Sequence, residues 1–213
     1  MKLTKDLMTG VIALLLFTVI LGLAYPLVVT GISQVAFAGK ANGSHITRDG
    51  KVVGSRLIGT ARTIDTGRKD ADGAPITRPD PAYFQPRPSA TGYSATATYF
   101  ANRGPNSSAA RYFYRDGLAA YLALEGPFNP GLTNAGVPVD AVTASASGVD
   151  PHISETNAAI QARRVAATRG LPLARVRQLI ADNTDGRFLG VIGEPGVNIP
   201  ELNLALDTQA PAR

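Results

Sequence analysis

The sequence predicts an α+β domain that is anchored to a membrane by one N-terminal transmembrane helix. Three observations predict this fold class: a long charge-free apolar stretch, one strong hairpin signal, and two capped helical patterns near the C-terminus. The apolar stretch runs from Leu7 to Gly39, and the next charged residue is Lys40. A bilayer core about 30 Å thick needs roughly 20 apolar helical residues, so this stretch is long enough to cross it.

The domain boundaries follow from this apolar stretch. The predicted segments are a cytoplasmic N-terminus (1–6), a transmembrane helix (7–29), an exit segment (30–45) and an extracytoplasmic α+β domain (46–213). Lys2 and Lys5 precede the stretch, and basic flanking residues favour the cytoplasmic side of a membrane. The predicted location is therefore the cell (inner or plasma) membrane, crossed once, with a cytoplasmic N-terminus and an extracytoplasmic C-terminal domain.

A secretory signal peptide is the competing interpretation of the N-terminus. Ala36-Phe37-Ala38 before Gly39 fits the Ala-x-Ala cleavage pattern. The apolar core of a signal peptide is only about 7–15 residues long, and this one is about twice that length. Length therefore favours a retained anchor. Both interpretations place the rest of the chain on the same side of the membrane.

Small residues on the predicted span are candidates for contacts with neighbouring helices. Thr18 and Gly22 form a small-xxx-small pair, which lets another helix approach closely. Tyr25 and Pro26 follow, and we expect them to shape the helix just beyond this face. The span contains no ionisable residue and cannot carry an ion relay by itself. It is predicted to be a packing element rather than a pore.

Composition excludes several classes of function for the exported part. The chain has 213 residues, a net charge of +5 and no cysteine. The absence of cysteine rules out disulfides, thiolate metal sites and cysteine nucleophiles. The arginines are scattered and form no basic block, so nucleic acid is not a predicted partner. Anionic lipid headgroups or an acidic protein face are more plausible partners.

The first part of the domain contains one clear hairpin. Asp49-Gly50 lies between two β-prone runs in residues 46–53, which is a strong signal for a type I′ turn. Residues 56–59 are expected to extend the second strand, and the polar residues 60–81 to form a loop or mobile insert. An aromatic pair begins the extended segment 83–90 and is expected to anchor it on the core.

The C-terminal half mixes predicted helices and strands. Residues 108–125 have apolar residues at three- and four-residue spacing and predict a helix. Ser154 is predicted to cap a helix from Glu155 to Arg169, with Gly170 as its stop. The remaining predicted elements are a strand at 137–143, a second helix starting at Pro172 with the apolar stripe Leu173, Val176, Leu179 and Ile180, and strands at 187–193 and 197–206.

The densest polar cluster of the sequence precedes the capped helix. Its members are Ser145, Ser147, Asp150, His152 and Ser154. A Ser/His/Asp hydrolase that uses Ser147 and His152 is one hypothesis. The Gly-x-Ser-x-Gly elbow is absent, and Asp150 lies unusually close to His152 in sequence. We favour a connection whose hydroxyls cap backbone groups.

The sequence gives little support for a metal site or a phosphate-binding site. The histidines are His45 and His152, and with no cysteine a dedicated transition-metal site is not predicted. No phosphate-binding Gly-x-x-x-x-Gly-Lys-Ser/Thr motif occurs. We therefore predict no catalytic residue, no metal ligand and no cofactor on this chain.

Several ordered blocks resemble one family of membrane proteins. They are Leu23-Ala24-Tyr25-Pro26-Leu27, Tyr83-Phe84 with Arg87-Pro88-Ser89-Ala90, Val137-Pro138-Val139-Asp140 with Val142-Thr143-Ala144-Ser145, Asp150-Pro151-His152-Ile153-Ser154, Gly193-Glu194-Pro195 and Leu202-Asn203-Leu204-Ala205-Leu206. In these blocks the chain resembles the C-subunit family, KdpC, of the bacterial potassium-transporting Kdp ATPase. Departures include Ala146, where glycine is usual, and a segment 62–81 that is longer than expected.

The resemblance implies a function that agrees with the residue-level interpretation. It implies a non-catalytic accessory subunit that supports assembly and activity of a high-affinity, ATP-driven potassium uptake pump. The implied partners are a channel-like potassium-binding subunit, a P-type ATPase subunit, a small membrane subunit and membrane lipid. ATP and magnesium are expected on the ATPase subunit, not on this chain. A membrane-anchored or secreted hydrolase is the alternative hypothesis.

Overall fold

The computed structural model describes residues 2–94, 96–99 and 102–209. The chain divides into two units, Met1–His45 and Ile46–Arg213. The first contains the apolar helix, and the second contains the helices and strands that form the core together with one extended segment. Helices and small antiparallel sheets both occur, so the predicted α+β class is confirmed at that level.

One long helical segment, Lys2–Ala36, makes up most of the first unit. It consists of α1 (Lys2–Val19), a π-helical turn (Ile20–Ala24) and α2 (Tyr25–Ala36). The π turn ends two residues before Pro26. The proline ring has no N–H and crowds the carbonyl one turn earlier, which favours a local widening of the helix. The segment is long and apolar enough to cross a membrane.

The helix is longer than the predicted span in both directions. Residues 7–29 lie inside it, and the first part of the predicted exit segment 30–45 is also helical, as far as Ala36. A four-residue helix, α3 (Ala38–Ala41), follows a break at Phe37. Positive φ angles of 91° at Gly43 and 49° at Ser44 then end the helical region. The membrane boundaries within this helix stay a prediction.

Two polar hairpins begin the second unit. In the first, β1 (His45–Arg48) and β2 (Lys51–Ser55) are joined by Asp49-Gly50 with φ angles of 51° and 73°. Both central residues have positive φ, as a type I′ turn requires, so this prediction is confirmed. Strand β2 stops at Ser55 because its hydroxyl accepts a hydrogen bond from the Leu57 N–H at 3.1 Å and turns the chain. The predicted extension through 56–59 is therefore wrong.

The second hairpin replaces the predicted loop at 60–81. Strands β3 (Thr63–Lys69) and β4 (Pro75–Pro79) pair antiparallel, with an irregularity between Asp65 and Arg68. Nearly every strand residue is exposed. The prediction was wrong because alternation of apolar and polar residues appears only where one face of a sheet is buried.

Five α-helices belong to the described part of this unit. They are α4 (Ser108–Glu125), α5 (Val139–Val142), α6 (Glu155–Arg169), α7 (Leu173–Asp182) and α8 (Ile199–Gln209). The predictions of α4, α6 and α7 are confirmed, including the Ser154 cap and the left-handed Gly170 stop at φ 67°. The strand predicted at 137–143 is wrong: Pro138 instead starts one helical turn, α5.

A small antiparallel sheet connects these helices. Its strands are β5 (His152–Ile153), β6 (Thr184–Asp185) and β7 (Gly196–Asn198), in the order β5–β7–β6. The strand predicted at 187–193 is wrong. This stretch is a tight loop with exposed apolar side chains, closed by one bridge between Phe188 and Ile192 and with positive φ at Leu189.

The predicted strand 197–206 is wrong beyond its first two residues. Helix α8 starts at Ile199, and Pro200 fits because the first helical turn needs no N–H from proline. The buried residues of α8 are Ile199, Leu202, Asn203, Leu206 and Asp207. These positions repeat at three- and four-residue spacing, and two of them are polar. The apolar residues alone therefore do not show the complete helical period.

The core forms where α6, α7 and α8 meet β5, β7 and the extended segment that begins near Pro81. Its fully buried members include Phe84, Ala158, Ala162, Val165, Val176, Val197, Leu202 and Leu206. Phe84 anchors the extended segment as predicted, and the α7 stripe at Val176, Leu179 and Ile180 is buried. Tyr83 stays partly exposed, with the Arg169 guanidinium carbon 4.4 Å from its ring centroid.

Side chains, rather than a neighbouring strand, satisfy the backbone of the extended segment. The Asn203 amide accepts from the Phe84 N–H and donates to the Phe84 carbonyl, both at 2.9 Å. The Gln161 amide does the same for Gln85, at 2.7 and 3.1 Å. Each side-chain amide therefore makes the two hydrogen bonds that a residue of a neighbouring strand would make. The buried backbone of the segment remains hydrogen-bonded.

Arg164 holds the same segment through its charge. Its Nε donates to Glu125 Oε1 at 2.8 Å, and both side chains are fully buried. Its terminal nitrogens donate to the carbonyls of Pro81 and Tyr83 and to Gln161 Oε1. Arg164 thus joins α6, α4 and the extended segment in one buried network.

Substituting Arg164→Leu should strongly destabilise the second unit. The change leaves the buried Glu125 carboxylate without its cationic partner and removes the Arg164 donor from the Pro81 carbonyl, which costs about 3–5 kcal/mol. Urea unfolding of the full chain in detergent, followed by tyrosine fluorescence, measures this loss. The neighbouring Arg163 is exposed, so Arg163→Leu is the matched control and should change stability by less than about 0.5 kcal/mol. Equal losses for both variants would contradict the role of this network.

Candidate functional site

The polar cluster predicted from sequence lies in the connection between α5 and α6, residues 143–154. Ser145 is buried, and its hydroxyl accepts hydrogen bonds from the N–H groups of Gly148 at 3.0 Å and Asp150 at 3.2 Å. Ser147 is exposed, and its hydroxyl accepts from the Val149 N–H at 3.1 Å. Both serines therefore shape the backbone of the connection, as the capping interpretation predicts.

The extended segment runs beside this connection and is bonded to it. The Ser145 N–H donates to the Pro88 carbonyl at 2.8 Å, and the Ser89 hydroxyl donates to the Gly148 carbonyl at 2.6 Å. Gly148 has a φ of 77°, and a Cβ there would lie 2.8 Å from the Tyr99 carbonyl oxygen. Glycine is needed at this position for both conformation and space.

Ser154 and Asp140 form a second polar group at the end of the connection. The Ser154 hydroxyl accepts from the Asn157 N–H at 3.1 Å and caps α6. The same hydroxyl and the Ser154 N–H both donate to the Asp140 carboxylate at 2.8 Å. Asn157 Nδ2 also donates to Asp140, at 3.0 Å. The carboxylate thereby ties α5 to the N-terminus of α6, where negative charge is favourable.

His152 is held between carboxylates rather than beside a serine. Its Nε2 lies 3.0 Å from Asp185 Oδ2, and its Nδ1 lies 3.8 Å from Asp150 Oδ1. Asp185 also pairs with Arg56 at 3.2 Å, and Asp150 with Arg87 at 3.3 Å. Each of the two carboxylates therefore contacts both the imidazole and an arginine. The contact between His152 and Asp185 links β5 to β6.

This geometry gives the hydrolase hypothesis no support. A catalytic triad needs the base to be hydrogen-bonded to the nucleophile. Ser147 Oγ contacts Ser145 Oγ at 3.2 Å and a backbone N–H, whereas the His152 ring contacts carboxylates. The two residues predicted to work together have separate partners.

A cleft of about 340 Å³ adjoins His152 and is lined by Asp140, Asp150, Asp185 and Glu194 together with Arg87. In the part of the chain that the structure describes, no group of three or more His, Cys, Asp or Glu residues is placed to hold a metal ion. The acidic side chains here are used in ion pairs and backbone hydrogen bonds.

Arg87, Asp140 and Asp185 complete the polar cluster but were not among the predicted site residues. Arg87 contacts the Thr143 hydroxyl at 3.2 Å and the Ala144 carbonyl at 3.4 Å in addition to Asp150. These three residues lie on three different parts of the fold. Arg87 and Asp140 occur in the blocks that carry the family resemblance. That resemblance is the sequence signal that could have identified them as members of the cluster.

Two tyrosines of this region have raised pKa values. Burial raises the pKa of Tyr121, and the nearby Glu125 and Asp140 carboxylates raise it further. The Tyr121 hydroxyl donates a hydrogen bond to Asn157 Oδ1 at 2.9 Å. Burial likewise raises the pKa of Tyr93, whose hydroxyl donates to the Arg87 carbonyl at 2.8 Å.

The predicted contact residues of the span lie at and beside the π turn. Thr18 is on α1, Gly22 is in the π turn, and Tyr25 and Pro26 begin α2. A Cβ built on Gly22 would meet only the Thr18 Cγ2, at 3.9 Å. Thr18 and Gly22 therefore share one face of the helix, as their four-residue spacing predicts.

Comparison with known proteins identifies the family. The family described as KdpC, K+-transporting ATPase, c chain, matches residues 7–208. The chain belongs to the KdpC family. It is 47% identical to the potassium-transporting ATPase KdpC subunit of Polaromonas naphthalenivorans over 205 residues, which cover 93% of this chain and 94% of that protein. The identity to the KdpC subunit of Koribacter versatilis is 41%, over 97% and 96% of the two chains. The identity to that of Rhodospirillum rubrum is 45%, over 93% and 95%.

Membership confirms the resemblance noted in the sequence blocks. The KdpC match spans both structural units, because it starts in the apolar helix and ends in α8. The apolar helix and the polar connection are therefore both parts of the KdpC chain rather than additions to it.

The Ser154–Asp140 contact generates a stability prediction. Ser154→Ala removes the α6 cap and should cost about 1–2 kcal/mol. Asp140→Ala removes the shared acceptor and should cost a similar amount. Because the two side chains bond each other, the double variant should cost clearly less than the sum of the single variants. Urea unfolding of the four proteins measures this cycle, and strict additivity would contradict the coupling.

Proposed function

We propose that this chain is a membrane-anchored, non-catalytic subunit of a K+-transporting ATPase. The observation that carries the proposal is the KdpC family match over residues 7–208, with relatives named potassium-transporting ATPase KdpC subunit. The chain supports assembly and activity of an ATP-driven potassium uptake pump. The partners in this proposal are a channel-like potassium-binding subunit, a P-type ATPase subunit and a small membrane subunit. ATP and magnesium bind to the ATPase subunit.

The apolar helix supports the assignment to a membrane. None of the residues in the most apolar part of Lys2–Ala36 is buried. Such a surface needs lipid or other helices around it, because exposed apolar area is unfavourable in water. In the proposed arrangement the N-terminus is cytoplasmic and residues 46–213 are extracytoplasmic, in agreement with the basic residues before the helix.

The polar connection supports a structural role for the second unit. Its serines, aspartates and histidine are paired with one another, with arginines and with backbone groups. Such pairing holds α5, α6 and the extended segment in one geometry. We infer that the unit acts through its surface, by contacts with other subunits.

The proposed topology can be tested by cysteine labelling, since the natural chain contains no cysteine. A membrane-impermeant maleimide should label Arg177→Cys in intact spheroplasts, because Arg177 is exposed on α7. It should label Leu3→Cys only after lysis. Labelling of Leu3→Cys in intact spheroplasts would contradict the cytoplasmic N-terminus.

Anchor retention is tested on the same preparations. Ala36-Phe37-Ala38 lies where α2 ends and α3 begins. Intact-mass spectrometry of the membrane-extracted protein should show the full chain. A mature chain that begins at Gly39 would establish cleavage and exclude the retained anchor.

The face at Thr18 and Gly22 is proposed to pack against a partner helix. Gly22→Leu should separate the helices, since close approach depends on small residues. We expect about 5- to 30-fold less of the chain in the purified complex, the factor that corresponds to 1–2 kcal/mol. Potassium-dependent ATP hydrolysis should fall in parallel, whereas membrane insertion should not change.

Gly10→Leu is the matched control for this substitution. It makes the same change on the same helix, and a Cβ at Gly10 meets nothing within 4 Å. Co-purification of Gly22→Leu at the level of Gly10→Leu, with full pumping, would show that this face is not the contact.

A further inference from the structure

The loop between β6 and β7 exposes four large apolar side chains. In residues 188–192, the apolar loop, the exposed fractions are 69% for Phe188, 78% for Leu189, 74% for Val191 and 59% for Ile192. Single exposed apolar residues are common on protein surfaces, whereas contiguous apolar patches mark interaction sites. The loop contains no polar or charged side chain. It is therefore a candidate interaction surface.

Hydrogen bonds give the apolar loop a fixed shape. The Phe188 N–H donates to the Ile192 carbonyl at 2.8 Å, and the Ile192 N–H donates to the Phe188 carbonyl at 3.0 Å. Leu189 and Gly190 turn the chain with φ angles of 52° and 78°. A preformed shape loses little entropy on binding, so it suits a fitted pocket.

The backbone at the tip of the loop favours a protein pocket over lipid. Among the hydrogen bonds of the described residues, none uses the Leu189 N–H or the carbonyls of Leu189, Gly190 and Val191. Lipid tails offer no partner to such groups, and each unsatisfied group there costs several kcal/mol. A protein pocket can supply donors and acceptors at its rim while its interior contacts the apolar side chains.

The segment that carries the apolar loop is acidic, although the whole chain has a net charge of +5. Residues 182–201 contain one basic residue, Arg187, and four acidic residues, which are Asp182, Asp185, Glu194 and Glu201. Arg56 pairs with Asp185 and Glu201, which leaves an acidic excess. Anionic membrane surfaces attract basic segments, so they offer no attraction to this one. A protein pocket with a basic rim is complementary to it.

We propose that the apolar loop inserts into an apolar pocket with a basic rim on a partner subunit of the ATPase complex. Phe188, Leu189, Val191 and Ile192 fill the pocket, and donors at its rim bond the carbonyls at the tip. This inference rests on the proposed function, because the pocket belongs to another subunit of the same complex.

A charge placed on the apolar loop is the first test. Val191→Asp would bring a carboxylate into the apolar pocket. Val139→Asp on α5 is the matched control, because Val139 and Val191 are both 74% exposed. When the complex is purified through the ATPase subunit, we expect about tenfold less of the Val191→Asp chain. The yield of Val139→Asp should stay within about twofold of wild type.

The outcomes separate this inference from the proposed function. If the wild-type chain does not co-purify with a potassium-dependent ATPase, the proposed function fails. If wild type, Val191→Asp and Val139→Asp co-purify equally, the function stands and the apolar loop is not the docking element. Urea unfolding of both variants, expected to match wild type, shows that a loss of co-purification reflects the loop and not the fold.

Charge reversal beside the loop tests the basic rim. Asp182→Lys should lower the yield in the complex by about threefold or more at low salt, and high salt should reduce this difference because it screens surface charges. Asp72→Lys is the matched control, since Asp72 is exposed between β3 and β4. Equal yields for the two lysine variants at low salt would contradict the basic rim.

Cysteine protection tests the contact directly, since the natural chain has no cysteine. The maleimide labelling rate of Val191→Cys should fall roughly tenfold or more in the assembled complex relative to nanodiscs that hold one chain each. The rate of Arg177→Cys, on the exposed side of α7, should change by less than about twofold. Equal rates for Val191→Cys in both states would overturn the proposal.

A tryptophan reporter distinguishes lipid from protein as the occupant. The chain contains no tryptophan, so Phe188→Trp carries a single one. In nanodiscs without partner subunits, brominated lipids should not quench its fluorescence more than they quench that of Arg177→Trp. Strong quenching of Phe188→Trp alone would overturn the proposal, because the apolar loop would then lie in the bilayer.

Discussion

The arrangement of the second unit depends on a fully buried ion pair, Arg164 with Glu125. Burying two charges costs less when their remaining donors and acceptors are hydrogen-bonded, and Arg164 donates to two carbonyls and to Gln161 in addition to Glu125. The pair joins α4 to α6, and the carbonyls belong to the extended segment. Three elements that are distant in sequence are thereby held in one arrangement. The second carboxylate oxygen of Glu125 has no hydrogen-bond partner within the described ranges.

Side-chain amides satisfy the buried backbone groups of the extended segment. Asn203 and Gln161 each bond both backbone groups of one residue, so helices α8 and α6 replace a neighbouring strand. The segment can therefore be buried at Phe84 without belonging to a sheet. Its next residues, through Ser89, bond the connection that carries the predicted polar cluster. The core and the polar cluster are in this way parts of one hydrogen-bonded framework.

The framework gives the members of the polar cluster structural partners. Ser145 and Ser154 use their hydroxyls to hold backbone N–H groups, and His152 lies between Asp185 and Asp150. A reactive serine needs a base that removes its proton, and here the serines and the imidazole have other partners. A domain held together by these bonds is compatible with the role proposed above for a KdpC chain, in which the second unit contacts other subunits.

The sequence by itself determined the local features of this protein: the apolar helix, the Asp49-Gly50 turn, helix α4, and the Ser154 cap and Gly170 stop of α6. Each depends on residues a few positions apart, whose conformational preferences do not need the rest of the chain. Only the tertiary structure decided the remainder. The β3–β4 hairpin is exposed on both faces, so its sequence shows no alternation of apolar and polar residues. Helix α8 buries the polar residues Asn203 and Asp207, so its apolar residues alone do not show the full helical period. The His152–Asp185 and Arg164–Glu125 pairs join residues far apart in sequence, and long-range contacts of this kind leave no local pattern.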